Sequence, residues 1–218
     1  MTATFVTVYQ DDRLLVLDKP SGLLAVPGRG PNLQDCLSAR VQAVHSSALV
    51  VHRLDRDTSG LLVMALNPEV QRQLSRQFAD RRVRKQYTAV VAGSIAADEG
   101  IVDLALRKDF DRPPRHMVDL ELGKSAQTQW RMVGRSLDRT RVALEPITGR
   151  SHQLRIHMAS LGHPILGDPL YAPPEVTAMA PRLLLHAERL EFTYPDEDAW
   201  DPRVDCGRNV EFTAECPF

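Results

Sequence analysis

Apolar residues in this chain come in short runs, and that pattern restricts the fold more than any other feature. Leu14-Leu15-Val16-Leu17, Ala48-Leu49-Val50-Val51 and Leu61-Leu62-Val63-Met64-Ala65-Leu66 are four to six residues long, and each ends at a polar residue. Runs of that length read as buried strands. Residues 5–9 alternate apolar and polar, residues 86–92 read as a strand closed by Gly93, and residues 141–147 as another, turned by Thr148-Gly149-Arg150. Residues 101–133 read as short alternating segments broken at Pro113-Pro114 and Gly123, and residues 183–192 as the last core element. Helical spacing shows in three places. Asn32 is expected to cap a helix with Leu33, Cys36, Leu37, Val41 and Val44 on one face. Asn67-Pro68-Glu69 starts a second, with Val70, Leu74 and Phe78 as its stripe. Ser151 is expected to cap a third, with Leu154, Met158 and Leu161 on its face and Gly162 at its end. Strands outnumber helices and are not regularly interleaved with them. The expected class is therefore α+β, with a central mixed, mainly antiparallel sheet and flanking helices, rather than a doubly wound fold.

The 218 residues suit one large domain or two small lobes. At 43% hydrophobic and 25% charged, the chain has enough apolar surface for a core. No apolar run approaches the roughly 18 residues of a membrane span, and the N-terminus lacks a basic region followed by an apolar one, so no secretory signal is expected. Three cysteines, Cys36, Cys206 and Cys216, fit free thiols in a reducing, cytoplasmic compartment. A net charge of −1 argues against holding nucleic acid by bulk electrostatics. The charge is uneven, however. Residues 72–85 carry six bases and one acid, and residues 188–205 carry seven acids and two bases. Two solvated faces would account for this, as would one surface that attracts phosphates and another that repels them.

The densest polar segment is His52-Arg53-Leu54-Asp55-Arg56-Asp57-Thr58-Ser59-Gly60, wedged between two apolar strands. Loops on a rigid scaffold are where catalytic groups sit, although Asp57, Thr58 and Ser59 could simply satisfy backbone donors. A second dense segment runs from Thr148-Gly149-Arg150 through His152-Gln153-Leu154-Arg155 to His157. Arg155 on an apolar helix face would need an anion, and Asp55 is the natural candidate. His152 and His157 are five apart and do not face one metal; no metal pattern and no nucleotide or redox fingerprint is present, so no cofactor is expected. Tyr87, in Lys85-Gln86-Tyr87-Thr88-Ala89 beside the basic cluster, is either a core aromatic or a stacking platform.

His52-Arg53-Leu54-Asp55 with Thr58-Ser59-Gly60, the Lys85–Ala89 segment and Thr148-Gly149-Arg150-x-His152-Gln153-Leu154-Arg155-x-His157 together resemble the signatures of the RluA family of RNA pseudouridine synthases. Leu161-Gly162-His163-Pro164-Ile165-Leu166-Gly167-Asp168, Leu184-Leu185-His186-Ala187 and Lys19-Pro20-x-Gly22 fit as well, in the family's order. Lys19 to Leu24, Val26 to Arg29 and Met179 to Leu183 extend the resemblance to the family's small dual-specificity members. Arg56-Asp57 adds charge inside the signature loop, and Ala172 follows Tyr171 where many relatives have Gly.

The resemblance implies a single pseudouridine-synthase catalytic domain over residues 1–218, with a cleft between two lobes and no S4-type RNA-binding domain. It implies isomerisation of uridine to pseudouridine in a hairpin loop of 23S rRNA and in the anticodon loop of some tRNAs, by a monomer without membrane or obligate protein partner. Asp55 takes the catalytic role by that resemblance, through attack at C1′, addition at C6 or removal of the 2′ proton. An Asp55–Arg155 ion pair would keep the carboxylate ionised. The target base must leave its stack. Arg53 is implied to fill the vacated space and Tyr87 to pack on the flipped base, with its hydroxyl a candidate base for the C5 proton. His52, Arg150 and His152 join Arg53 as candidate RNA contacts, and Arg72, Arg76, Arg81, Arg82, Arg84 and Lys85 as the candidate phosphate patch.

Three rival readings differ in what they require. A relative with the same chemistry would serve one RNA class only. Asp55-Arg56-Asp57-Thr58 also fits the D-x-D-x-T core of a Mg-dependent aspartate-nucleophile phosphatase, which needs a doubly wound sheet and a downstream acidic pair. A non-catalytic RNA-binding protein could keep the fold without the reaction.

Overall fold

The structure is a computed structural model that describes residues 5–195 and 208–218. In chain order its elements are β1 (Val6–Gln10), β2 (Leu14–Lys19), a 3-10 turn (Pro31–Leu33), α1 (Leu37–Gln42), β3 (Leu49–Val50), β4 (Ser59–Ala65) and α2 (Pro68–Ala79). They continue with β5 (Arg84–Ala92), β6 (Glu99–Asp103), β7 (Leu106–Lys108), β8 (His116–Val118), β9 (Gln127–Arg135) and β10 (Arg139–Pro146). The last are α3 (Gln153–Ser160), α4 (Pro174–Thr177), β11 (Leu185–Thr193) and β12 (Asn209–Thr213). Two compact units divide the chain: unit 1 comprises the described residues up to Lys85 and from Ala187 to Pro217, and unit 2 Gln86–His186 with Phe218.

In unit 1, β2 pairs antiparallel with β1 and β4, β3 pairs with the end of β4, and β12 pairs with β11. Leu14 and Val16 of β2, with Leu61, Val63 and Ala65 of β4, point to one face. There they pack with Val70 and Leu74 of α2 and with Leu190 and Phe192 of β11. Leu15, Leu17, Leu62 and Met64, on the other face, are equally buried. Burial on both faces is why these strands read as unbroken apolar runs. Asn67 caps α2 as its sequence indicates, its side chain accepting from the Val70 N–H at 2.9 Å.

Unit 2 carries the antiparallel order β5-β10-β9-β6 and a separate β7–β8 hairpin. Ala89, Val91, Val142, Leu144 and Trp130 pack against Leu154 and Met158 of α3 and against Ile165, Leu183 and Leu185.

These antiparallel ladders agree with the α+β expectation and not with a doubly wound sheet. Three local expectations need correction. The first helix is capped by Cys36, whose sulfur accepts from the Ala39 N–H, and not by Asn32; Pro31 and Asn32 belong to the 3-10 turn, and Leu33 and Val44 are exposed. The cap of α3 is His152, with φ 58°, not Ser151, and Leu161 at its end is part-exposed. Residues 183–192 are not the last core element, because β12 follows and lays Phe212 against the core. Cys36 and Cys216 are free thiols. Cys206 and most of the acidic run expected over 188–205 lie outside the described residues. Among the described residues, no helix is long and apolar enough to cross a membrane.

Candidate active site

In unit 1 the segment from His52 to Thr58 is irregular chain that delivers Asp55 just ahead of β4. Leu54, buried, anchors it on one side of Asp55. On the other side, Lys19, with 0% exposure, sends its ammonium to the carbonyls of Pro20 at 2.8 Å, Leu23 at 2.8 Å and Arg56 at 2.9 Å. The Arg56 carbonyl also accepts from the Gly22 N–H at 2.9 Å, and the Asp57 carbonyl from the Ser21 hydroxyl at 2.7 Å. Lys19, Ser21 and Gly22 thus clamp the peptide links that follow Asp55. A buried ammonium is tolerable only with such oxygens around it. Gly60, at φ 108°, closes the segment; a Cβ there would lie 2.3 Å from the Ala187 carbonyl oxygen, so no side chain fits.

The charges that flank Asp55 are unevenly engaged. Arg53 is exposed, and Arg56 pairs with its neighbour Asp57 at 3.1 Å. His52, expected among the RNA contacts, is taken up internally: its ring stacks on Phe78 with centroids 4.4 Å apart, and its Nε2 accepts from the Val63 N–H at 3.1 Å. Burial, reinforced by the charge of Lys85, pushes its pKa down to about 3, so the ring is neutral.

In unit 2, Tyr87 sits in β5 opposite Leu144, half-buried against the core. Arg155 projects from α3 with its side chain 2% exposed. Its anion is Asp168, 0% exposed, which accepts from Nε at 2.8 Å and from one Nη at 2.6 Å. A buried guanidinium demands a carboxylate, as the sequence indicates, but the fork comes from a residue quoted there without a role. The available signal was that Asp168 is an acid set among Ile165, Leu166 and Leu170. Gly167, at φ 71°, makes the turn that aims it, since a Cβ there would lie 1.9 Å from the Arg182 carbonyl oxygen. Asp168 also accepts from the N–H groups of Leu170 at 2.8 Å and Tyr171 at 3.2 Å.

Tyr171 is the second residue that sequence reasoning passed over. Its hydroxyl accepts from the His116 N–H at 2.8 Å and lies 2.6 Å from Nδ1 of His152. The guanidiniums of Arg115 and Arg155 each lie 5.2 Å from its ring centre. Gln153 secures the turn before α3, accepting from the Thr148 hydroxyl at 2.7 Å and the Arg150 N–H at 3.0 Å. These bonds hold the turn that leads into α3, whose first N–H groups receive no side-chain cap. Arg150 is exposed and donates to the Ser125 carbonyl at 3.1 Å. His157 is a core residue, bonded to the Thr128 hydroxyl at 2.9 Å and the Leu104 carbonyl at 3.2 Å, and burial lowers its pKa.

The basic cluster is partly neutralised by its own surroundings. Arg72 pairs with Glu69, Arg76 and Arg82 lie 3.5 and 3.7 Å from Asp80, and Arg84 lies 3.8 Å from Glu191. Burial lowers the pKa of Lys85, and Arg81 sits exposed at φ 60°. Exposed pairs of this kind are worth little and can exchange for phosphate. Among the described residues, no group of three or more His, Cys, Asp and Glu side chains converges to hold a metal ion.

A family model described as RNA pseudouridylate synthase matches residues 13–160. The chain is 53% identical over 191 residues to the dual-specificity RNA pseudouridine synthase RluA of Escherichia coli K12, covering 87% of each chain. It is 52% identical over 192 residues to the protein of that name from Yersinia pestis, covering 88% of this chain and 93% of the relative. Among solved structures, human RNA pseudouridylate synthase domain containing 1 superposes with a TM-score of 0.81 at 27% identity, covering all of this chain and 86% of that one. Human RNA pseudouridylate synthase domain containing 4, at 23% identity and a TM-score of 0.74, shares the fold over 97% of this chain and 88% of its own.

Proposed function

The chain belongs to the RluA family of RNA pseudouridine synthases, and from that premise we propose that it isomerises uridine in two RNA classes, a hairpin loop of 23S rRNA and the anticodon loop of some tRNAs. The reaction breaks the N1–C1′ bond, turns the base and joins C5 to C1′. The C5 proton leaves to solvent and N1 gains one, so no electrons are exchanged. The observation that carries the dual-substrate reading is 53% identity over 87% of both this chain and a dual-specificity relative.

In this reading Asp55 is the catalytic aspartate. The clamp from Lys19, Ser21 and Gly22 supports it, because a carboxylate that must meet one atom of a ribose or a base needs a fixed loop. We propose for Arg155 the pairing with Asp55 that the sequence suggests; the fork to Asp168, which uses Nε and one Nη, sets the direction of its guanidinium. Tyr87 packs on the flipped base and is the candidate acceptor of the C5 proton. Arg53 fills the vacated stack; Arg150, His152 and the basic cluster meet phosphates. His52 supports the loop through Phe78 and Val63. The protein acts as a monomer in the cytoplasm, without a membrane or obligate protein partner.

The test uses purified protein and RNA hairpins carrying uridine tritiated at C5. Each turnover releases tritium to water. Release from both an rRNA hairpin and a tRNA anticodon stem-loop is expected, with affinity falling as salt rises. Release from one class alone narrows the substrate. Binding without release from either leaves an RNA-binding protein and overturns the proposal.

A further inference from the structure

We propose that Tyr171 is a positioning residue that sets Arg155, His152 and the start of β8 through one side chain and its own backbone. This rests on the reading that Arg155 and His152 serve uridine isomerisation. Four contacts of the residue divide between two tasks. The Tyr171 N–H donates to Asp168 at 3.2 Å, on the oxygen that accepts the Nη of Arg155, so the carboxylate that holds Arg155 is itself held by Tyr171. The ring lies 5.2 Å from the Arg155 guanidinium, within cation–π range. Backbone and ring therefore act on the arginine.

The hydroxyl acts elsewhere. It accepts the His116 N–H at 2.8 Å, which ties the first residue of β8 to the loop after Asp168. With that donor on its oxygen, the phenol proton is assigned to the bond with Nδ1 of His152, 2.6 Å away. A neutral His152 then carries its ring proton on Nε2, as a donor suited to a phosphate or 2′-hydroxyl oxygen. The ring of His152 also meets His116 edge-on, with centroids 5.3 Å apart. His152 is the left-handed residue at the head of α3, and the same helix carries Arg155. One tyrosine thus separates a chemical task from a binding task, and removing its parts in turn should separate kcat from KM.

The experiment measures tritium release by the full chain on an RNA hairpin, with melting temperature read alongside. Tyr171→Phe keeps the ring and backbone and loses the hydroxyl. Its KM is expected to rise about three- to tenfold, the size of one lost hydrogen bond, with a smaller change in kcat. Tyr171→Leu loses the ring as well, and its kcat is expected to fall about tenfold. His152→Ala should raise KM as Tyr171→Phe does, and the double variant should be no worse than either. Wild-type kinetics in Tyr171→Phe, or losses in both variants that track only their folded fraction, would overturn the proposal while leaving the function intact. An inactive wild type would remove the reading on which it rests.

Discussion

A guanidinium and a carboxylate, both nearly sealed from water, make Arg155–Asp168 the pair whose two halves can be tested against each other. Removing one partner of a buried pair costs about 3–5 kcal/mol, whereas replacing both with apolar groups of similar volume is often neutral. Asp168→Ala is therefore expected to lose stability of that size in urea unfolding. Arg155→Met with Asp168→Leu should regain most of it and, on the proposed role of Arg155 beside Asp55, still release no tritium. Full activity in that double variant would remove Arg155 from the mechanism. Lys19→Met removes the donor to three carbonyls and is expected to destabilise by about 3 kcal/mol and to lower kcat more than it changes KM. Equal activity per folded molecule would count against the clamp. The need for an anion at Arg155 was legible in the sequence, since the charge falls on an apolar helix face. Its source was not, because Asp168 lies beyond α3 in a loop without periodicity, where spacing says nothing about direction.

At the scale of elements, the strand–loop–strand unit from β3 to β4 hangs on a neutral histidine. His52 is depressed to about 3 by burial and by Lys85. The folded protein then binds no proton there between pH 3 and 6.5, while the unfolded chain binds one. Stability should fall as pH drops through that window, by up to about 1.4 kcal/mol per unit from this group, and be fully present above it. The buried His157, also depressed, adds to the same trend. His52→Gln keeps an acceptor for the Val63 N–H and should flatten the profile between pH 6 and about 4; parallel profiles for the two proteins would contradict this. Asn67→Ala should cost α2 about 1 kcal/mol in thermal unfolding. That cap is legible because Asn-Pro-Glu is a local device. The cap of α3 is not, since His152 takes that place in left-handed backbone with no side-chain cap bond, which no spacing rule anticipates. The strand β12 was missed because its polar and charged residues alternate with only Val210 and Phe212.

For the whole molecule, the α+β class follows from short apolar runs that helices do not interleave, and the antiparallel ladders agree with it. The runs in β2 and β4 were legible because burial on both faces removes alternation. Function was legible by a different route: no composition or periodicity points to RNA, and the −1 net charge points away from it. The signature segments carried that reading, and two of them form built pieces of structure, the Lys19 clamp and the Asp168 fork. The most direct measurement is a map of pseudouridine in the rRNA and tRNA of cells lacking this gene, complemented with wild type or with Asp55→Ala. The account expects marks in an rRNA hairpin and in a tRNA anticodon loop to vanish with the gene and to return only with wild type. Marks that never vanish, or that return with Asp55→Ala, would contradict it.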